Sequence, residues 1–338
     1  MDPVRIAVIG LGRIGRLHAD LLAREIPGAQ LAFVVDPIPA ALDEVTSRWQ
    51  VAGSSDPADA IARDDVDAVA ICTPTPTHVE LIEAAAGAGK ATLCEKPISL
   101  DLAETDRALE AAESAEVPLQ VGFNRRFDPG HAAVRAAVGS GGVGAPELVR
   151  ISSRDPAPPD IEYLRSSGGV FRDQTIHDFD MARFVTGEEV TEVSAMGAVR
   201  VDPQIGDIGD RDTVTLLLRH ASGCLTVIDN SRRAVYGYDQ RVEVFGAAGM
   251  ALSDNQPEHG AVIRTVDGSR GAPLPWFYLE RYLASYRREW EAFAQMVSDA
   301  TPPSVSGADG RAALVLALAA GKAVEERRTV TIDEVSGC

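Results

Sequence analysis

Positive charge is in short supply in this sequence. Over 338 residues, 32 Lys and Arg face 50 Asp and Glu, a net charge of −18. A nucleic-acid backbone or an anionic membrane needs a basic surface, so neither is expected as the main partner. The simplest use of the surplus is solubility, and it leaves room for a local basic pocket. Long hydrophobic runs are also missing. The N-terminal run IAVI is closed by Gly10 and preceded by Arg5, too short for a signal-peptide core or a membrane span. Cysteine is scarce: Cys72, Cys94, Cys224 and Cys338 form no CxxC pair and no metal-ligand spacing. Two of them sit in apolar runs, where a thiol acts as a small hydrophobe. A reducing cytoplasm is the compartment these features suggest. No internal repeat or low-complexity linker interrupts the chain, and its length allows two domains, each with its own core.

The first third reads as alternating strands and helices. Val4–Ile9 is a branched apolar run, the pattern of a buried parallel strand. Gly10, Gly12 and Gly15 follow in a GxGxxG turn, then a helical repeat, then the strand Leu31–Val35, which ends at Asp36, 21 residues after Gly15. The first glycine permits the tight turn. The second lets backbone N–H groups approach a pyrophosphate, and the third lets the helix pack on the strand. Asp36 suits the two adenine-ribose hydroxyls and repels a 2′-phosphate, and Pro37 and Ile38 bring no arginine, so NAD is expected over NADP. The alternation continues through Ala68–Ile71, Ala91–Cys94 and Leu119–Gly122. This predicts a doubly wound parallel sheet of Rossmann type over residues 1–123, with ligand loops at Thr73–His78, Glu95–Pro97 and Asn124–Arg126.

Beyond residue 123 strand-like runs follow one another, at Leu148–Ser152, Val190–Val199, Thr213–Leu218, Leu225–Asp229, Gln240–Phe245 and Ala261–Val266. Their alternation and turn-like links predict an α+β domain over 124–338 with a mostly antiparallel sheet, one face covered by helices. Phe277–Asp299 reads as one long helix, Gly310–Arg327 as another, and Thr329–Ile332 as a last short strand. Within this half, Gly168–Met181 (GGVFRDQTIHDFDM) spaces Asp173, His177 and Asp180 by four and three. On one continuous helix these would share a face, and a carboxylate four residues before a histidine can orient the imidazole as a proton-transfer group. A loop followed by a capped, solvated helix fits the same letters. Lys96, between a buried strand and Pro97, falls at the nicotinamide end of the crevice. There a cation can support an alkoxide as hydride leaves. Lysine, histidine and aspartate together suit oxidation of a secondary alcohol.

EKP at 95–97 together with GGVFRDQTIHDFD at 168–180 resembles the oxidoreductase family named after glucose–fructose oxidoreductase, inositol dehydrogenase and the rhizopine-catabolism protein. VGFNRRFD at 121–128, SRDPAPPDIEY at 153–163 and LERYLASYRREWEAF at 279–293 are similar to its inositol branch. The resemblance covers nearly the full length. It implies NAD-dependent oxidation of a cyclic polyol, myo-inositol to its 2-keto form, by Lys96, Asp173 and His177, with His177 as general acid/base. It implies that Gly10, Gly12, Arg13, Ile14, Gly15, Asp36, Thr73, Pro74, His78, Glu95 and Lys96 surround NAD. Substrate contacts are implied for Lys96, Arg126, Asp155, Asp173, His177, Tyr236 and Tyr282, in an active site shared by the two domains, with no metal. It also implies a tetramer built through an apolar sheet face. Another inositol isomer, an amino-cyclitol, a pyranose sugar and a non-catalytic NAD sensor stay open beside it, and Arg126 and Tyr282 also fit structural roles as an ion-pair partner and a core residue.

Overall fold

The computed structural model describes residues 2–337; Cys338 lies outside them. The chain forms two compact units. One comprises the residues up to Asn124 together with Ser285–Ala312, the other Arg125–Ala284 together with the residues from Ala313 onward. A single cut near residue 123 does not anticipate the return of 285–312 to the first unit.

In the first unit, apolar runs that are buried on both faces become the strands of one parallel sheet. The order along the chain is β1 (Val4–Ile9), α1 (Arg13–Arg24), β2 (Ala29–Val35), α2 (Pro39–Trp49), β3 (Ala52–Ser54), α3 (Pro57–Ile61), β4 (Ala68–Ile71), α4 (His78–Gly87), β5 (Ala91–Glu95), α5 (Leu102–Ser114) and β6 (Leu119–Gly122). The strands lie in the order β3-β2-β1-β4-β5-β6, all parallel. The winding reverses between β1 and β4, so the crevice at their carboxyl ends is the ligand-binding position of such a sheet. Helix α1 lies close against the turn after β1: a Cβ on Gly15 would stand 1.8 Å from the Gly10 carbonyl oxygen. Gly10 itself has a φ of +93°, where a side chain is strained.

The second unit begins with α6 (Pro129–Gly139), β7 (Pro146–Arg154), α7 (Ile161–Ser166), α8 (Val170–Asp173), α9 (Ile176–Thr186), β8 (Val190–Ala198) and α10 (Pro203–Asp207). It continues with β9 (Thr213–His220), β10 (Leu225–Ser231), β11 (Asp239–Gly246), β12 (Gly249–Ser253), the hairpin β13 (Val262–Thr265) and β14 (Gly268–Gly271), and α11 (Tyr278–Arg281). Helices α12 (Leu283–Asp299) and α13 (Gly307–Glu326) and strand β15 (Val330–Thr331) end the chain. The seven-stranded sheet runs β12-β11-β7-β10-β9-β8-β15, antiparallel except for the pair β7 and β10. Period-two alternation sends Val149, Ile151, Leu216, Leu218, Ile228, Val242 and Val244 to the buried face, against which α6 and α9 pack. Met196, Leu217, Phe245 and Met250 are exposed.

Three elements differ from the sequence reading. Ala261–Val266 does not join the main sheet: a two-residue loop pairs β13 with β14 at once, as a separate exposed hairpin. The long helix expected over Phe277–Asp299 breaks at Tyr282, whose φ of −110° and ψ of 16° are not helical. The stretch after Gly169 is also two helices, α8 and α9, separated at Gln174 and Thr175. Among the described residues no helix is long and apolar enough to cross a membrane.

Because the atom facing Gly15 is backbone, relief requires α1 to move. Gly15→Ala is expected to cost about 1–3 kcal/mol, as for other overpacked sites. Thermal unfolding followed by circular dichroism checks this, and an unchanged melting temperature would contradict the close packing.

Candidate active site

The first unit offers a glycine turn at a helix N-terminus and an acid at the end of a neighbouring strand. Gly12 caps the N-terminus of α1, with no side chain bonding the cap and no acidic residue in the first turn. The N–H groups of this first turn therefore suit an anion. A Cβ on Gly12 would meet nothing within 4 Å, so the backbone is open to close approach. Arg13 is exposed and Ile14 half-buried at this turn. Asp36, at the end of β2, accepts the Leu11 N–H at 2.7 Å through Oδ2 and the Ile38 N–H at 2.8 Å through Oδ1. Those two bonds fix the carboxylate and leave acceptor capacity for hydroxyls. The residues present therefore fit a dinucleotide.

The loops after β4 and β5 are tied together by His78. Its Nδ1 is 2.8 Å from the Pro97 carbonyl and its Nε2 is 2.8 Å from the Thr73 carbonyl. The ring is buried, which lowers its proton affinity against the pull of the two carbonyls. His78 was expected beside the cofactor; its ring braces the loops that carry Thr73, Pro74 and Lys96. Glu95 ends β5, and Lys96, half-buried, starts the next loop.

In the second unit, Gly168 and Gly169 take φ of +83° and +82° and turn the chain into α8, where the Asp210 carboxylate accepts the Val170 N–H at 2.9 Å. The turn places Asp173 at the end of α8. Its carboxylate accepts the Tyr163 hydroxyl at 2.7 Å and the Arg232 Nη2 at 3.1 Å. Arg232 is wholly buried, so the pair fixes both groups. His177 follows on the first turn of α9. Beside it on α9, Asp178 is wholly buried and accepts Arg125 Nη1 at 2.8 Å, Ser153 Oγ at 2.5 Å and Asn230 Nδ2 at 2.7 Å. Burial raises the Asp178 carboxyl, while Arg125, Ser153 and Asn230 oppose the rise. Burial likewise pushes the half-buried Asp155 up to about 6; Arg232 opposes the shift and the Asp173 charge adds to it.

Several expected site residues have other work. Asp180 does not share a role with Asp173 and His177: it takes a bidentate contact from Arg126, with Nε at 2.9 Å and Nη2 at 2.6 Å. That part-buried pair matches the ion-pair role that Arg126 also fits, beside its expected substrate contact. Tyr236 donates to Asp239 at 2.6 Å and accepts from Arg154 at 3.1 Å, in a cluster with Asp229 and Arg241 rather than with Asp173. Tyr282 is 2% exposed, its ring lies beneath the Arg281 guanidinium and edge-on to Tyr238, and it is a core residue. Sequence reasoning placed Arg125 only within a ligand loop and missed Tyr163, Asp178 and Arg232. Asp178 and Arg232 lie within motif-like strings, HDFD and SRR, but nothing in those strings separates either residue from the like charge beside it.

Comparison with known proteins decides the lineage. A profile described as "Oxidoreductase family, NAD-binding Rossmann fold" matches residues 4–123, and one described as "GFO/IDH/MocA C-terminal domain" matches 131–252. The chain belongs to the Gfo/Idh/MocA oxidoreductase family. Within this family it is 50% identical to a protein of Thermotoga maritima named myo-inositol 2-dehydrogenase, over 99% of this chain and 100% of that one. It is 46% identical to an inositol 2-dehydrogenase of Rhizobium meliloti, over 97% and 99% of the two chains. The crystal structure of scyllo-inositol dehydrogenase from Lactobacillus casei with NAD(H) and scyllo-inositol bound is also similar, with a TM-score of 0.90 at 30% identity, covering 98% of this chain and 100% of that one. The family's cofactor is NAD.

The raised Asp155 carboxyl has a consequence for stability. In the native state it binds its proton at higher pH than in the unfolded chain, so its contribution is full below about pH 4 and is lost as pH rises through its native value. Asp155→Asn removes that loss. Urea unfolding at about pH 4.5 and about pH 7.5 should find the variant gaining on the parent at the higher pH. An equal difference at both would contradict the assignment.

Proposed function

We propose that this chain oxidises myo-inositol with NAD at the 2-hydroxyl, giving the 2-keto form. The observation that carries the proposal is the kinship with named myo-inositol and inositol 2-dehydrogenases across essentially the whole of both chains. The second unit supports it, because a ring of hydroxyls calls for acceptors and donors close together, and Asp155, Asp173, Tyr163 and Arg232 supply both.

In this reading Gly10, Gly12, Arg13, Ile14 and Gly15 hold the diphosphate, Asp36 holds the adenine ribose, and Thr73, Pro74 and Glu95 lie along the nicotinamide half. NAD, when bound, accepts the hydride from the carbon that bears the reacting hydroxyl. His177 takes the hydroxyl proton. Asp173, held by Arg232 and Tyr163, keeps a fixed negative charge that favours the imidazolium so formed. Lys96 supports the negative charge that develops on the substrate oxygen. Asp155 binds a ring hydroxyl away from the reacting carbon. The proposal includes a cytoplasmic homotetramer, four copies covering the open sheet face on which Met196, Leu217, Phe245 and Met250 are exposed. Sedimentation analysis checks that state.

NAD reduction, followed by absorbance across myo-inositol, scyllo-inositol, other isomers, amino-cyclitols and pyranoses, tests the substrate. Highest kcat/KM on myo-inositol is expected, highest on scyllo-inositol would move the assignment to that isomer, and silence on all would favour an NAD sensor. Lys96→Ala should lower kcat by roughly 100-fold or more, on the scale of removing one group that stabilises developing charge. Its NAD affinity should stay close to the parent's; an active variant would overturn the lysine's role.

Asp36→Ala should weaken NAD binding roughly 10- to 100-fold, the scale for lost hydrogen bonds to a charged group, and relax discrimination against NADP. Unchanged cofactor preference would contradict the ribose role.

A further inference from the structure

The first unit contains a string of hydrogen bonds that the reading above does not use. Trp290, on α12, donates its indole N–H to His18 Nδ1 at 2.8 Å, and His18 Nε2 meets Glu95 Oε1 at 2.9 Å. His18 and Trp290 are wholly buried. The Trp290 and Tyr286 rings stand edge-on to the imidazole at 5.3 and 5.5 Å, so the ring cannot turn over. Indole is a donor only. Its N–H therefore makes Nδ1 an acceptor, which puts the His18 proton on Nε2, aimed at Glu95. The carboxylate is in turn committed as acceptor.

Three distant segments meet here for one oxygen atom. His18 sits on α1, whose N-terminus is the phosphate-binding turn. Glu95 ends β5, directly before Lys96. Trp290 comes from the part of the chain that returns to the first unit. The neighbouring Glu289 is wholly buried with neither carboxyl oxygen hydrogen-bonded, and burial and the Glu95 charge hold it well above the usual carboxylate range.

We propose that His18 and Trp290 are positioning residues, which hold the Glu95 carboxylate as a hydrogen-bond acceptor for the nicotinamide half of NAD. The inference rests on the NAD-dependent reading above. The string fixes Oε1, while Oε2 lies against Gly122 at the end of β6, where a Cβ would stand 3.0 Å from it, so the carboxylate is held from both sides. Because α1 carries both His18 and the phosphate-binding turn, the two ends of the dinucleotide site share one rigid element.

Trp290→Phe keeps the aromatic packing and removes only the N–H. Calorimetric titration of the variant with NAD should give a Kd roughly 3- to 10-fold above the parent's, the scale of one net hydrogen bond. The KM for the cyclitol should not change. In a Glu95→Ala background the same substitution should have no further effect on NAD affinity, because the two act through one contact. Nitrogen NMR of the cofactor-free parent should find the His18 proton on Nε2, and the Nδ1–H form would overturn the string even where a variant folds poorly. Additive losses in the double variant, or an unchanged Kd in Trp290→Phe with the fold intact, would overturn the positioning role. A parent chain that does not bind NAD at all would instead bring down the dehydrogenase reading on which this inference rests.

Discussion

A carboxylate shut away from water persists only where donors converge on it, and Asp178 is such a group. Its donors come from three separate stretches: Arg125 at the start of the second unit, Ser153 on β7 and Asn230 on β10. Removing one partner from such a buried set typically costs about 3–5 kcal/mol, so helix α9 cannot shift on the sheet without breaking it. Two residues beyond Asn230, Arg232 grips Asp173. Residues two apart on an extended chain project to the same side. The end of β10 therefore clamps two carboxylates five residues apart, one on each side of the break between α8 and α9. His177, which lies between them, inherits its position from that double grip.

The first unit sets its site by a different means. Its functional groups are largely backbone: the N–H groups around Gly12, and the carbonyls of Thr73 and Pro97 that His78 joins. What the sequence must supply is room and rigidity rather than opposite charge. Gly15 supplies room by letting α1 lie against the turn, and Asp36 supplies rigidity by binding the Leu11 and Ile38 amides. The same carboxylate that suits ribose hydroxyls thus also shapes the turn, so a substitution there acts on both.

The parts readable in the sequence were those where chemistry and local conformation coincide. The glycines at 10, 12 and 15 specify a turn and a ligand together, and the buried parallel strands follow from unbroken branched runs. The double helix break was not readable, because Gln174 and Thr175 are not helix breakers; tertiary bonds from Gln174 to the Ser153 and Ser231 carbonyls, and from Thr175 to Asn230, pull them out of line. Asp180 matches Asp173 by spacing alone; the family resemblance sets them apart, and the contact with Arg126 gives the physical difference. Arg125 and Arg126 are adjacent and chemically alike, yet one is committed to Asp178 and the other to Asp180. Such assignments depend on partners more than 50 residues away, which spacing does not encode.

The second unit's cluster also explains why Asp155 differs from its neighbours. Asp178 has Arg125, and Asp173 has Arg232. Asp155 is a third carboxyl near two guanidiniums already engaged, so burial and the Asp173 charge leave it poised at about 6. With all three carboxyls ionised the cluster is net negative; with Asp155 protonated it is balanced. In the proposed reaction a proton moves from substrate to His177, and a net negative surround stabilises the imidazolium that results. The same surround disfavours an anionic substrate, whereas a neutral polyol meets no such penalty and offers hydroxyls that donate to carboxylates. In the proposed reading, selection of a neutral polyhydroxylated ring therefore follows from the imbalance between carboxylates and guanidiniums, apart from the groups that carry out the transfer itself.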